Sequence, residues 1–83
     1  MTNGEANKIN IAIYRDKNNR LVEHTFNANT SYEAYDYCKN NIDAKDIYCL
    51  HPLSGEACLI GDSEKANKIG EEYYEKHGVK PIF

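Results

Sequence analysis

The chain has 83 residues, 41% of them hydrophobic and 28% charged, with ten Lys and Arg against thirteen Asp and Glu for a net charge of −3. That size and balance specify one globular domain and exclude a wholly disordered chain. They also exclude a phosphate-binding surface built on clustered cations, because Arg15 and Arg20 are the only arginines and such surfaces work by counterion release.

The acidity is too slight and too interspersed for mimicry of DNA. Glu71, Glu72 and Glu75 lie between Lys68 and Lys76, the pattern of a solvated helix face. The apolar runs "IAI" and "CLI" are far too short to cross a membrane. Residues 1–8, "MTNGEANK", lack the basic start and apolar stretch of a secretory leader. They are read as a flexible polar tail ahead of a single domain over 9–83, and the chain is read as cytoplasmic. Three cysteines, an odd number, fit reduced thiols better than a disulfide scaffold.

Residues 9–15, "INIAIYR", alternate with period two and are rich in isoleucine, which predicts a half-buried strand. "RLVEHTFNAN" alternates again, with Val22, His24 and Phe26 sharing a face. A two-residue Asn18-Asn19 loop suits a type I′ turn and would set Ile13 opposite His24 and Ile11 opposite Phe26, with every apolar side chain on one face.

Thr30 followed by Glu33 is a capping box for a helix over about 31–41, whose inward stripe is read as Tyr35, Cys38 and Ile42. Asn40-Asn41 would end it through a left-handed cap. "KDIYCL" and "EACLIG" form a second hairpin around "HPLSG". "DSEKANKIGEEYYEKHG" is the second helix, capped by Asp62 or Ser63 and ended by Gly78. Ala66, Ile69, Gly70, Tyr73 and His77 form its inward face, with Gly70 expected where another backbone comes close. Glu64 with Lys68, and Glu72 with Lys76, are spaced to pair on the outer face. Val79 or Ile82 would pack back on the core.

The order ββαββα predicts an α+β domain, a four-stranded antiparallel sheet with two helices packed on one face. The other face of the sheet would be open to solvent or to a partner.

The stretch "YCLHPLSGEACLI", residues 48–60, holds the residue types of metal sites and nucleophiles. With a two-residue Leu53-Ser54 loop, Cys49 faces Cys58 and His51 lies two residues away on the same face, a set of zinc ligands lacking a fourth. With Leu53-Ser54-Gly55 as a type I turn and bulge, Cys58 moves to the opposite face and the cluster disappears. Pro52 and Gly55 favour the second turn, and the spacing C-x-H-x6-C matches no zinc pattern. The cysteines are therefore read as small core residues, with no metal, cofactor or catalytic group expected. His24 is read as a satisfied core or sheet-edge histidine. His77, at the end of the second helix, suits the negative end of its dipole.

The second hairpin is apolar on both faces, so it is either central and covered on both sides or it presents an apolar patch of the kind that marks interfaces. The chain also has seven tyrosines, a residue enriched where proteins bind proteins. Tyr35 and Tyr73 are assigned to the core. Tyr14, Glu23, Tyr32, Tyr37, Tyr48, Leu50, Leu59 and Tyr74 are the candidate partner-contacting residues. A homodimer through the apolar hairpin or an exposed edge strand is a further reading.

Short length, one compact α+β domain and the lack of an enzyme motif give a chain that resembles, in build, the small phage-encoded inhibitors of bacterial defence, above all anti-CRISPR proteins. No motif of that group falls on these residues. The resemblance implies a non-catalytic protein in a host cytoplasm that binds a CRISPR effector complex and blocks nucleic-acid recognition or cleavage, without contacting nucleic acid itself. Two alternatives stand beside it. One is a nucleic-acid module that stacks bases on Tyr14 and Tyr48 of an open sheet face. The other is a small metalloprotein centred on Cys49, His51 and Cys58.

Overall fold

A computed structural model describes residues 8–51 and 55–78. The elements are β1 (Ile9–Arg15), β2 (Leu21–Asn27), α1 (Ser31–Asn41), β3 (Ile47–His51), β4 (Glu56–Ile60) and α2 (Ser63–His77). The strands form one antiparallel sheet in the order β2-β1-β3-β4, so the α+β architecture and the ββαββα order are as the residue pattern predicts.

The helices do not share a face. Ala34 and Cys38 of α1 pack on Ala12, Phe26, Ile47, Cys49 and Ile60. Ile69 and Tyr74 of α2 pack on Ile13, Tyr48 and Leu50. Ala12 and Ile13 are neighbours on one strand and point to opposite faces, yet both are fully buried. β3 is buried along residues 47–50. The central strands β1 and β3 are thus covered on both sides, which answers the question raised by the two-faced hairpin and removes the open sheet face.

The first hairpin is shifted by one residue from the expected register. Ile13 lies opposite Glu23, and Ala12 opposite His24. The turn is the cause. Asn19 donates its N–H to the Asp16 carbonyl (2.9 Å) and takes φ +62°, while Asp16 Oδ1 accepts from the N–H groups of Asn18 and Arg20. That is a type I turn followed by a left-handed residue, an odd-length loop. Val22, His24 and Phe26 therefore face the same way as Ala12, not the isoleucines. The expected register assumed one buried face, and this sheet has two.

In the second hairpin Cys49 pairs with Cys58, the arrangement that the favoured bulged turn would have prevented. Gly55 does take a left-handed φ of +76° and donates to the His51 carbonyl (2.8 Å). Four residues separate His51 from Glu56, an even number, which keeps both cysteines on one face. Pro52, Leu53 and Ser54 lie outside the described residues, as do Val79, Ile82 and residues 1–7 of the tail.

The helix ends follow the capping residues. Thr30 Oγ1 accepts from the Glu33 N–H (3.2 Å), and Asp62 Oδ1 accepts from the Lys65 N–H (3.1 Å). Gly78 closes α2 in the left-handed region. α1 stops at Asn41, but through an extended Ile42 and not a left-handed asparagine. Glu72 pairs with Arg15 of β1 where Lys76 was expected, which ties α2 across the sheet. The inward stripes also differ in detail. Ala34, not Tyr35, joins Cys38 and Ile42 beneath α1. In α2, Tyr74 is buried, Tyr73 is half-buried and His77 is exposed. Gly70 is indeed a point of close approach, but to the Tyr48 ring and not to backbone.

Candidate functional site

The outer face of α1 presents the most exposed aromatic surface among the described residues. Tyr32 is 84% exposed and Tyr35 37% exposed. Tyr32, Tyr35 and Lys39 recur at the spacing that lines residues along one side of a helix, and the Lys39 ammonium lies 5.4 Å from the Tyr35 ring centre. Helix propensity does not call for tyrosine at exposed positions, and neither residue belongs to a core cluster. The inner side of α1 is anchored. Tyr37 stacks on Phe26 with ring centres 4.1 Å apart and 9° between planes, and its hydroxyl is 2.7 Å from His24 Nε2. Tyr32 and Tyr35 therefore project from a helix fixed to the sheet, which lowers the conformational cost of using them in a contact.

The eight expected contact residues do not form one surface. Tyr48, Leu50 and Tyr74 are buried in the core beneath α2, and Tyr14 and Tyr37 pack against the core beneath α1. Glu23 is exposed on the edge strand β2, where it meets His77 Nε2 at 3.1 Å. Leu59, 36% exposed, lies on the other edge strand. Tyr32 alone projects freely, and Tyr35, assigned to the core, joins it. The Tyr32-Tyr35-Lys39 spacing was the available signal for that pair. Tyr48 is fully buried and Tyr14 half-covered, and they belong to different core clusters, so the two do not lie together on an open sheet face.

Burial raises the Tyr48 phenol above its ordinary value of 10.0, with Tyr74 adding to the effect, and burial also raises Tyr73. A raised phenol pKa stabilises the fold fully below the unfolded value and loses that contribution as pH rises above it. Stability is therefore expected to fall from about pH 10 upward. Tyr48→Phe should flatten that alkaline decline in a series of melting curves; an unchanged slope would refute the assignment.

The three cysteines meet beneath α1. Cys38 and Cys49 are buried and reduced, and Cys58 is half-buried. The Cys49 thiol hydrogen-bonds Cys38, which lowers Cys38 and, together with burial, holds Cys49 well above the usual thiol range. Burial raises Cys58 as well. A reactive thiol needs a stabilised thiolate within reach of its substrate. Here the one thiol that is lowered is sealed in the core, and the half-buried one is pushed up by burial. Cys49, His51 and Cys58 do line a common cleft of about 350 Å³, with Asn10, Thr30 and Glu56. Among the described residues no three His, Cys, Asp or Glu side chains are placed to hold a metal ion.

No helix among the described residues is long and apolar enough to cross a membrane. Compared with protein-family models, with curated proteins and with solved structures, the chain matches none. The class established for it is that of a small α+β domain with a four-stranded antiparallel sheet.

Proposed function

We propose that this protein is a non-catalytic inhibitor that works by binding another protein, and that its target is a CRISPR effector complex whose nucleic-acid recognition or cleavage it blocks. The observation that carries the binding reading is the exposed tyrosine pair on α1, Tyr32 at 84% and Tyr35 at 37%. Tyrosine supplies large contact area for little lost freedom, and buried aromatic anchors dominate binding energy at interfaces. The choice of target rests on build: a short chain folded as one α+β domain, like the small inhibitors of bacterial immunity.

Expression of the chain in a bacterium with active CRISPR immunity should restore transformation by a targeted plasmid. The same protein should co-purify with the tagged effector. Each of Tyr32→Ala and Tyr35→Ala should cost about 2 kcal/mol of binding, roughly 30-fold in affinity. Tyr32→Ala should leave the melting temperature essentially unchanged, and Tyr35→Ala, which removes a ring only 37% exposed, should lower it only slightly. Failure to protect against a panel of effector types would sink the CRISPR target, and full protection by the double variant would sink the tyrosine surface.

A further inference from the structure

We infer that the outer edge of β4 is a self-association surface, on which two copies pair β4 with β4 antiparallel about a two-fold axis at Cys58 and join their four-stranded sheets into one of eight strands. Two hydrogen bonds bracket β1 and fix which way its backbone groups point. Asp16 donates to the Arg20 carbonyl, and Ala28 donates to the Lys8 carbonyl. In an antiparallel ladder, directly opposed residues alternate between bonded and non-bonded pairs. The even-numbered residues of β1 therefore bond β2, and Ile11 and Ile13 bond Leu50 and Tyr48 of β3. The backbones of Ile47, Cys49 and His51 then turn toward β4 and bond Ile60, Cys58 and Glu56. The Gly55 N–H on the His51 carbonyl agrees with that assignment.

What remains is the backbone of Ala57 and Leu59, whose N–H and C=O groups point away from the sheet. No backbone bond beyond the ladders takes them among the described residues. A long unpaired edge is normally guarded by charge, proline or a bulge. β2, the other edge, carries Glu23 and His24. β4 begins with Glu56, but its remaining residues, Ala-Cys-Leu-Ile, carry no charge, and Leu59 is 36% exposed; in the Cys58-centred pairing Glu56 opposes the second copy's Ile60.

The edge is also its own complement. With the axis at Cys58, Ala57 opposes the second copy's Leu59 and the reverse, so all outward donors and acceptors of both residues are satisfied in two bonded pairs. A large side chain then meets a small one on each side of the axis, and no like charges oppose each other. Centring on Ala57 would need the Gly55 N–H, already given to His51. Centring on Leu59 would draw in Gly61, which is packed against the Lys45 carbonyl.

In the Cys58 register the two Cys58 residues form the non-bonded pair on the axis. Their Cα atoms would lie about 4.5 Å apart, within the span of a disulfide. The test uses the full chain. Light scattering should give twice the chain mass at high concentration and the monomer mass on dilution. Diamide takes two protons and two electrons from a pair of thiols, becomes its hydrazine and leaves an S–S bond; it should yield a covalent dimer that dithiothreitol reverses. Cys58→Ser should abolish the crosslink and keep the non-covalent dimer. Ala57→Pro removes an outward N–H without touching the β3 ladder, and Leu59→Lys places like charges at the joint; each should give a monomer with an unchanged far-ultraviolet spectrum. A wild-type monomer at every concentration would overturn the inference. So would a dimer that diamide does not crosslink, one linked through Cys38 or Cys49, or one that persists in both edge variants.

Discussion

Gly70→Ala is expected to lower the melting temperature by roughly 10–20 °C, although the same change in an ordinary helix interior stabilises by about 1 kcal/mol. The reversal comes from Tyr48. A Cβ on Gly70 would lie 2.5 Å from two carbons of that ring and 2.8 Å from a third. The ring cannot swing away. Tyr48 is fully buried, sits in the same cluster as Ile13, Leu50 and Ile69, and meets Tyr74 edge-on at 6.1 Å with 86° between planes. Overpacking of this kind costs about 1–3 kcal/mol and occasionally more. A closely held aromatic ring puts this case at or beyond the top of that range, about 3–4 kcal/mol, which leaves a net loss of about 2–3 kcal/mol after the helix gain of about 1 kcal/mol. Thermal melts of the two proteins decide it. The partner change Tyr48→Leu, which shortens the obstacle, should make the alanine far less costly in a double-mutant cycle. A melting temperature at or above wild type in Gly70→Ala would mean that α2 does not sit on Tyr48 at this distance.

The same contact shows where the residues announce the fold and where they do not. Thr30, Asp62 and Gly78 mark helix ends because capping is local chemistry, settled within four residues of the cap. Gly70 is legible as a point of close approach because nothing else explains a glycine inside that helix. What the pattern does not give is parity. Ala12 is small enough to pass for the polar side of β1, which suggests one buried face where there are two, and the expected register of the first hairpin follows from that. The turn that reverses it depends on Asp16 Oδ1 accepting two backbone N–H groups, a detail that "DKNN" allows but does not dictate. The tyrosines mislead for a related reason. A helix lying close over a sheet favours Ala34 over Tyr35 at the contact, and an i, i+3, i+7 stripe through Tyr35 overlaps an i, i+4, i+8 stripe through Ala34. Tyr32 is recognisable as surface only because no stripe needs it.

Gly61→Ala should be more damaging still, with a loss of about 4 kcal/mol or more, a large share of the 5–15 kcal/mol that holds a domain together. Gly61 follows β4 at φ +86°, a region that costs an L-residue roughly 1–2 kcal/mol by itself. An L-alanine Cβ there would also meet the Lys45 carbonyl oxygen at 2.1 Å and Asp46 Oδ1 at 2.7 Å. The first obstacle is backbone and cannot rotate aside. The second is the oxygen that accepts the Asp62 N–H at 2.9 Å, and Asp62 caps α2. One methyl group would therefore disturb the entry to β3, the end of β4 and the start of α2 together. The D-enantiomer separates this account from a general intolerance of side chains. D-Alanine adopts positive φ without strain and puts its methyl where the other α-hydrogen stands, away from Lys45, at a residue that is solvent-exposed. An 83-residue chain is within reach of ligation from synthetic segments. In urea titrations the protein with D-alanine in place of Gly61 should keep its midpoint near that of wild type, while the protein with L-alanine there should be largely unfolded. Equal midpoints for the two enantiomers would show that the joint between Gly61 and Lys45 is looser than its geometry implies.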